Sequence, residues 1–309
     1  MRILVTGRAI PHQPDRCTGQ QLVQGFKEAG HEAYFYGCFY GQSTNFLGGK
    51  ECQSIDKWDL VVVTEMNDGM PGYEQLFEYY KLKDVPKVYW DFDISYNETF
   101  GYQRAGAYKY DGYLVGNKNY VQKFMDRFRK PTLHLAYACS PIIHRKMSDV
   151  KKQYMLGFVG SMTEERKTLL DNIKKFAQCG TEIFTGEGLF GDKLIEATNS
   201  LRVMFHHNQQ ACAGLVPGRP WETTGCGTTL LMDKLSYNDF VEFLPKELHS
   251  NVYYYENEKD IMRWFMEFQN KPMELEMNGE ELQMYVHANH SYKNRAEAIV
   301  AWAKENKIV

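Results

Sequence analysis

The chain has 309 residues, of which 43% are hydrophobic and 24% charged, and its formal net charge is −3. That length suits two domains of about 150 residues, and the composition excludes extended disorder. Its 7 cysteines form no C-x-x-C pair, and no apolar run approaches the roughly 18 residues that span a bilayer, which argues against a disulfide scaffold and a membrane span.

Met1 to Val5 reads as a strand start rather than a secretory leader, so the expected location is the cytoplasm. Thr6 to Thr18 reads as a polar, proline-containing loop. Gln20 to Ala29 carries helical periodicity through Leu22, Val23 and Phe26, with Gly30 placed to end it in the left-handed conformation. Strands are predicted over 32–36, 60–63, 87–90, 112–115 and 132–135, with helices between them that include 73–82 and 117–128. The alternation then restarts. Strands are predicted over 154–159, 182–185, 201–205, 228–232 and 251–255, and helices over 164–177, 191–199, 258–269 and 279–303. Strands alternating with helices imply an α/β protein with two doubly wound, Rossmann-like domains. The expected boundary lies in the lysine-rich stretch 139–153, giving domains of 1–145 and 146–309, with the last helix a candidate to return to the first domain.

Ligands of open α/β sheets bind beyond the carboxyl ends of strands, so the loops after strands carry the candidates. Pro217 to Gly227 places a turn, one arginine and one carboxylate at the mouth of a short predicted helix. Backbone N–H groups at a helix start and a nearby arginine suit phosphate oxygens, whereas a carboxylate suits the hydroxyls of a ribose or sugar. Together they fit a nucleotide-sugar; taken alone, the segment reads more plainly as a capped, glycine-terminated helix with a surface ion pair. Charge adds a second feature. Residues 101–153 hold 11 Lys/Arg against 3 Asp/Glu, including Arg127, Arg129, Lys130 and Lys151. Such a region suits the phosphates of nucleic acid, anionic lipid or a nucleotide; a solvated helix face is the plainer reading.

Six segments in order then resemble the CgeB-like, spore-maturation-type branch of the GT-B glycosyltransferases: AGHEAYFYG at 29–37, YWDFDIS at 89–95, LAYACSPIIH at 135–144, YMLGFVGSMTEERKTLL at 154–170, GRPWETTGCGTTLLMD at 218–233 and HANHSYKNRAEAIV at 287–300. The resemblance implies two Rossmann-like domains facing a central cleft, and transfer of a sugar from a nucleoside diphosphate to an acceptor hydroxyl. It gives Glu222 the ribose hydroxyls and Arg219 the diphosphate, with Gly218 and Thr223 beside them. Gly160, Ser161 and Arg166 take the place of the loop and helix that close over the donor. Many retaining members carry a second glutamate seven positions before the ribose-binding one; here that position is Leu215.

On the acceptor side, Asp91 and Asp93 follow the strand 87–90, and Asp93 is the first choice of general base if the mechanism inverts. His12, in the loop after the first strand, is its competitor. Asp91-Phe92-Asp93 also spells the D-x-D of metal-dependent GT-A transferases, but that reading leaves the second α/β unit unexplained, so neither metal nor another cofactor is expected. His206 and His207 alternate faces of a strand and would chelate one metal poorly. His290, Tyr292 and Arg295 receive a structural reading. The remaining alternatives are a non-catalytic nucleotide- or carbohydrate-binding protein, and a polysaccharide, lipid or modified-DNA acceptor.

Overall fold

The computed structural model describes the chain apart from residues 10–16, 40–45, 48–51, 53–54, 56, 65–81, 93, 96, 177–182 and 209–212. It divides into two compact units, Met1–Tyr137 with Ser291–Val309, and Ala138–His290. Most of the expected helix over 73–82 lies outside the described residues.

In the first unit the strands are β1 (Arg2–Ala9), β2 (Glu32–Phe39), β3 (Phe46–Leu47), β4 (Leu60–Thr64), β5 (Lys87–Asp91), β6 (Gly112–Val115) and β7 (Thr132–His134). Among the described residues they form one sheet in the order β3-β2-β1-β4-β5-β6-β7, parallel except where β3 meets β2. The run Leu60-Val61-Val62-Val63 is buried at every position, as expected of a parallel strand covered on both faces. Its β-branched side chains also suit the pleat.

Helix α1 (Thr18–Glu28) buries Leu22, Val23 and Phe26, and Gly30 follows it with φ of +82°. β1 runs further than the sequence indicates, to Ala9, so the expected loop is shorter. Two helices follow β5 and β6: α2 (Glu98–Gly106) and α3 (Val121–Phe128), the latter preceded by a 3-10 turn over Lys118–Tyr120. Asn97 starts α2 by accepting from the Phe100 N–H at 3.0 Å, a local cap without an apolar period to announce it.

The second unit contains β8 (Tyr154–Val159), α4 (Glu164–Phe176), β9 (Phe184–Gly186), α5 (Gly191–Ser200), β10 (Leu201–His206), α6 (Gly218–Gly225), β11 (Thr229–Asp233), α7 (Lys234–Val241), β12 (Val252–Tyr255), α8 (Glu258–Gln269) and α9 (Pro272–Asn289). Its sheet is parallel in the order β12-β11-β10-β8-β9. Leu156, Val203, Phe205, Leu231, Ile261 and Phe265 lie in its core.

One long predicted helix, 279–303, is two. α9 ends at Asn289, and α10 (Tyr292–Glu305) begins after Ser291. The Ser291 side chain and Asn294 exchange bonds as a capping box, which satisfies the first amides of α10 and breaks the run. α9 belongs to the second unit and α10 to the first.

α10 packs on α1, and Gly25 is where they touch. A Cβ on Gly25 would lie 2.3 Å from the Tyr292 carbonyl oxygen, so the contact needs glycine. Arg295 is 8% exposed and donates from Nε to the Ala136 carbonyl at 2.8 Å and from a terminal nitrogen to the Tyr137 carbonyl at 2.8 Å. Those bonds fix α10 to the segment following β7.

Candidate functional site

In the second unit the parallel register brings Gly160 after β8, His206 at the end of β10, Asp233 at the end of β11 and Tyr255 at the end of β12 to one edge of the sheet. Side chains stitch that edge together. Arg166, on α4, donates to the Ser161 carbonyl at 2.8 Å and twice to the His207 carbonyl, at 3.2 and 2.7 Å. Its guanidinium also lies over the Phe158 ring, 5.3 Å from the centroid. His207 Nδ1 meets the Tyr255 hydroxyl at 2.6 Å, and His207 Nε2 lies 3.3 Å from Glu165. Asp233 accepts from the Asn208 N–H at 3.0 Å and from the amide and hydroxyl of Ser236 at 2.9 and 2.8 Å. The same carboxylate therefore caps α7 and ties the exit of β10 to that of β11.

α6 leaves this edge from the segment that follows β10. Pro217, its N-cap, offers no side-chain acceptor to the first amides. Those N–H groups and the positive end of the helix favour an anion. Pro220, Trp221, Thr223 and Thr224 are buried, whereas Arg219 and Glu222 keep 27% and 29% of their side chains exposed on another face. Their ion pair measures 2.7 Å. Its remaining guanidinium N–H groups meet no protein acceptor among the described residues.

Burial pushes the Glu222 carboxyl up, but the charge of Arg219 and then of His144 outweighs it, and the group sits below the ordinary carboxylate range. Glu222 is therefore an ionised acceptor at neutral pH. Burial and then Glu222 push the neighbouring Cys226 thiol up to about 12, which keeps it protonated and unreactive.

Packing holds this face in place. The Trp221 ring is fully buried and contacts Phe240, Phe243 and His290 at centroid distances of 5.0, 5.3 and 4.9 Å. His287 Nε2 lies 2.9 Å from the Gly225 carbonyl, and Gln283 donates to the same oxygen at 2.7 Å. The end of α6 is thereby anchored to α9.

The sequence-predicted residues fall into three groups. Gly218, Arg219 and Glu222 lie together on α6, whereas Thr223, on the same helix, is fully buried. Gly160, Ser161 and Arg166 lie at the exit of β8 and on α4, where Arg166 spends its donors on the strand-exit carbonyls. In the first unit Asp91 is 1% exposed; it accepts from the Ile94 N–H at 2.7 Å and the Tyr89 hydroxyl at 3.3 Å, so it anchors the turn after β5. His12 and Asp93 lie outside the described residues. Among the described residues no cluster of His, Cys, Asp and Glu is arranged for a metal ion. Leu215 is 1% exposed, a core position.

Sequence reasoning left His144 and Tyr255 out. His144 is 3% exposed and accepts from the Ser140 N–H at 2.9 Å through Nδ1. His144 ends the segment LAYACSPIIH and Tyr255 the predicted strand 251–255, but neither position alone shows that it lies near α6 or the sheet edge. A cavity of about 470 Å³ also opens at the strand edge, lined by Glu164, Glu165, Asn172, His207, Tyr255 and Glu258. Neither Arg219 nor Glu222 lines it, and its carboxylates repel phosphate.

The comparisons with known proteins meet this geometry. Residues 158–301 match the family described as glycosyl transferase-like. An α-glucosyltransferase solved with UDP and a 13-mer DNA containing an HMU base superposes with a TM-score of 0.69 at 11% identity, over 100% of this chain and 99% of that one. The fold is GT-B. HepE from Anabaena, solved with UDP and glucose, gives a TM-score of 0.66 at 11% identity over 99% of this GT-B chain and 100% of its own. A glycosyltransferase from Rickettsia africae gives 0.56 at 9% identity, over 98% of each chain. No curated protein sequence matches the chain. No helix among the described residues is long and apolar enough to cross a membrane.

Proposed function

We propose that this GT-B protein transfers a sugar from a nucleoside diphosphate sugar to an acceptor hydroxyl, with the donor held by the second unit. The observation that carries the reading is the half-exposed Arg219–Glu222 pair on α6, beside a helix start without a side-chain cap. The ionised Glu222 accepts from the ribose hydroxyls. Arg219 and the first amides of α6 face the diphosphate and stabilise the charge that grows as the sugar departs. Charge on the leaving group is thus met by the chain itself, and the reading requires no metal. The two structures solved with UDP support a uridine nucleotide as the first donor to try.

The first unit takes the acceptor in this reading, with Asp93 or His12 as the base and Asp91 shaping the turn that carries Asp93. A D-x-D metal site would need both carboxylates free, and Asp91 has committed one oxygen to Ile94 and the other to Tyr89. The six ordered segments favour the CgeB-like branch, with the cytoplasm as its location. For the acceptor, the basic region 101–153 and the DNA in the first structural neighbour favour nucleic acid over lipid or polysaccharide.

The test is a binding screen of nucleoside diphosphate sugars by thermal denaturation, because a ligand that binds only the folded state raises the midpoint. One nucleotide family should raise it in wild type, and Arg219→Ala should abolish the rise. A non-catalytic binding protein would show the same rise with no release of nucleoside diphosphate over a broad acceptor panel.

A further inference from the structure

Among the buried polar groups that the Arg219–Glu222 pair leaves unused, His206 lies at the sheet edge itself. His206 closes β10 at the strand edge, is 6% exposed, and its Nε2 has no hydrogen-bond partner among the described residues. A buried polar atom without a partner is costly in a folded protein, so it marks a place where a partner arrives. The charges that bear on the ring are Asp233 from β11, Arg166 from α4, Arg219 from α6 and the adjacent His207. Asp233 is already satisfied by Asn208 and Ser236. The positive charges of Arg166 and Arg219 both bear on this ring, and an N–H in that field suits an anionic oxygen. The cavity lined by Glu164, Glu165 and Glu258 is unfavourable to such an anion.

We infer that His206 is a donor-binding residue whose Nε2–H hydrogen-bonds a phosphate oxygen of the nucleoside diphosphate, alongside Arg219. The inference rests on the second unit being the donor domain, and it adds a residue that neither the sequence motifs nor the Arg219–Glu222 pair supplies. Burial, offset in part by Asp233, holds the imidazole down at about 4, so the ring is neutral in the empty protein. A neutral donor at this place adds a hydrogen bond without adding to the repulsion between the two arginines.

Three variants and two probes test it. His206→Leu removes the unpartnered nitrogen and keeps an apolar volume; His206→Gln returns an amide N–H close to the Nε2 position; Arg219→Ala is the reference. Titration calorimetry with UDP, and with GDP, ADP, CDP and dTDP should UDP not bind, is paired with the matching nucleoside, and the unfolding midpoint of each empty variant is recorded. His206→Leu should keep or raise the midpoint, bind the diphosphate at least tenfold more weakly and bind the nucleoside as wild type does. His206→Gln should recover to within about threefold. Unchanged diphosphate affinity in His206→Leu overturns the inference, and so does equal weakening of diphosphate and nucleoside. A lowered midpoint with intact diphosphate affinity also overturns it, by showing that the nitrogen serves a structural water. If wild type binds no nucleoside diphosphate, the donor-domain reading falls and takes this inference with it.

Discussion

Replacing Glu222 with alanine separates a ribose-binding carboxylate from a surface ion pair. With 27% and 29% of the two side chains exposed and a 2.7 Å contact three residues apart on α6, the pair with Arg219 contributes at most about 1 kcal/mol to stability. Glu222→Ala should therefore unfold close to wild type. Binding should respond differently. A hydrogen bond from a ribose hydroxyl to an ionised carboxylate contributes about 1.5–3 kcal/mol, or about 10- to 150-fold in affinity. Calorimetry with a ribonucleoside diphosphate and its 2′-deoxy analogue gives four dissociation constants for the two proteins. Wild type should prefer the ribonucleotide by about tenfold or more, and Glu222→Ala should show no preference. Because Arg219 and His144 hold this carboxyl below its ordinary range, the preference should persist in weakly acidic buffer. An undiminished preference in Glu222→Ala would refute the role given to this residue.

Stability should respond to pH through His206. Its pKa is about 4 in the folded protein and 6.5 as the reference value. The unfolded chain takes up the proton first as pH falls below 6.5; stability is lost between 6.5 and 4, about 2 kcal/mol by pH 5, and the loss levels off below. Urea unfolding of wild type and His206→Leu at pH 7 and pH 5 should show the smaller drop in the variant, and equal drops would contradict the assignment. Gly25→Ala places a Cβ 2.3 Å from the Tyr292 carbonyl oxygen, so it should destabilise the first unit by about 1–3 kcal/mol in denaturant titration. Trp221→Ala should cost about 3–5 kcal/mol in the same assay and weaken nucleotide binding, because the fully buried ring holds α6 in place.

The strands were legible because parallel strands covered on both faces are short apolar runs, and Leu60 to Val63 and Leu201 to Phe205 both form as their composition dictates. Breaks set by single polar side chains were not. The capping box of Ser291 with Asn294 lies in the polar stretch His287 to Asn294, inside the single helix predicted over 279–303, and the chain changes unit there. At the site, Arg219 and Glu222 were readable as an arginine and a carboxylate at a predicted helix mouth and from the resemblance, and the fold pairs them on one face of α6. The resemblance gave Arg166 a place in the loop and helix that close over the donor, yet it clamps the exits of β8 and β10 through carbonyl bonds that no motif encodes. Thr223 was placed at the site by adjacency to Glu222, but one residue along a helix is a turn of about 100°, and the side chain faces the core. His206 carries no motif at all; its interest comes from burial and a missing partner, which exist only in the folded chain.

The central claim, that this GT-B chain consumes a nucleoside diphosphate sugar through the α6 pair, is tested most directly by product release. Wild type, Arg219→Ala and Glu222→Ala are incubated in EDTA with UDP-, GDP-, ADP-, CDP- and dTDP-sugars and a panel of acceptors, including DNA with a hydroxymethylated base, and the nucleoside diphosphate is quantified by chromatography. The account predicts release from one nucleotide family in wild type and at least a tenfold lower rate in each variant. Wild-type rates in both variants, or no release from any donor, would contradict it.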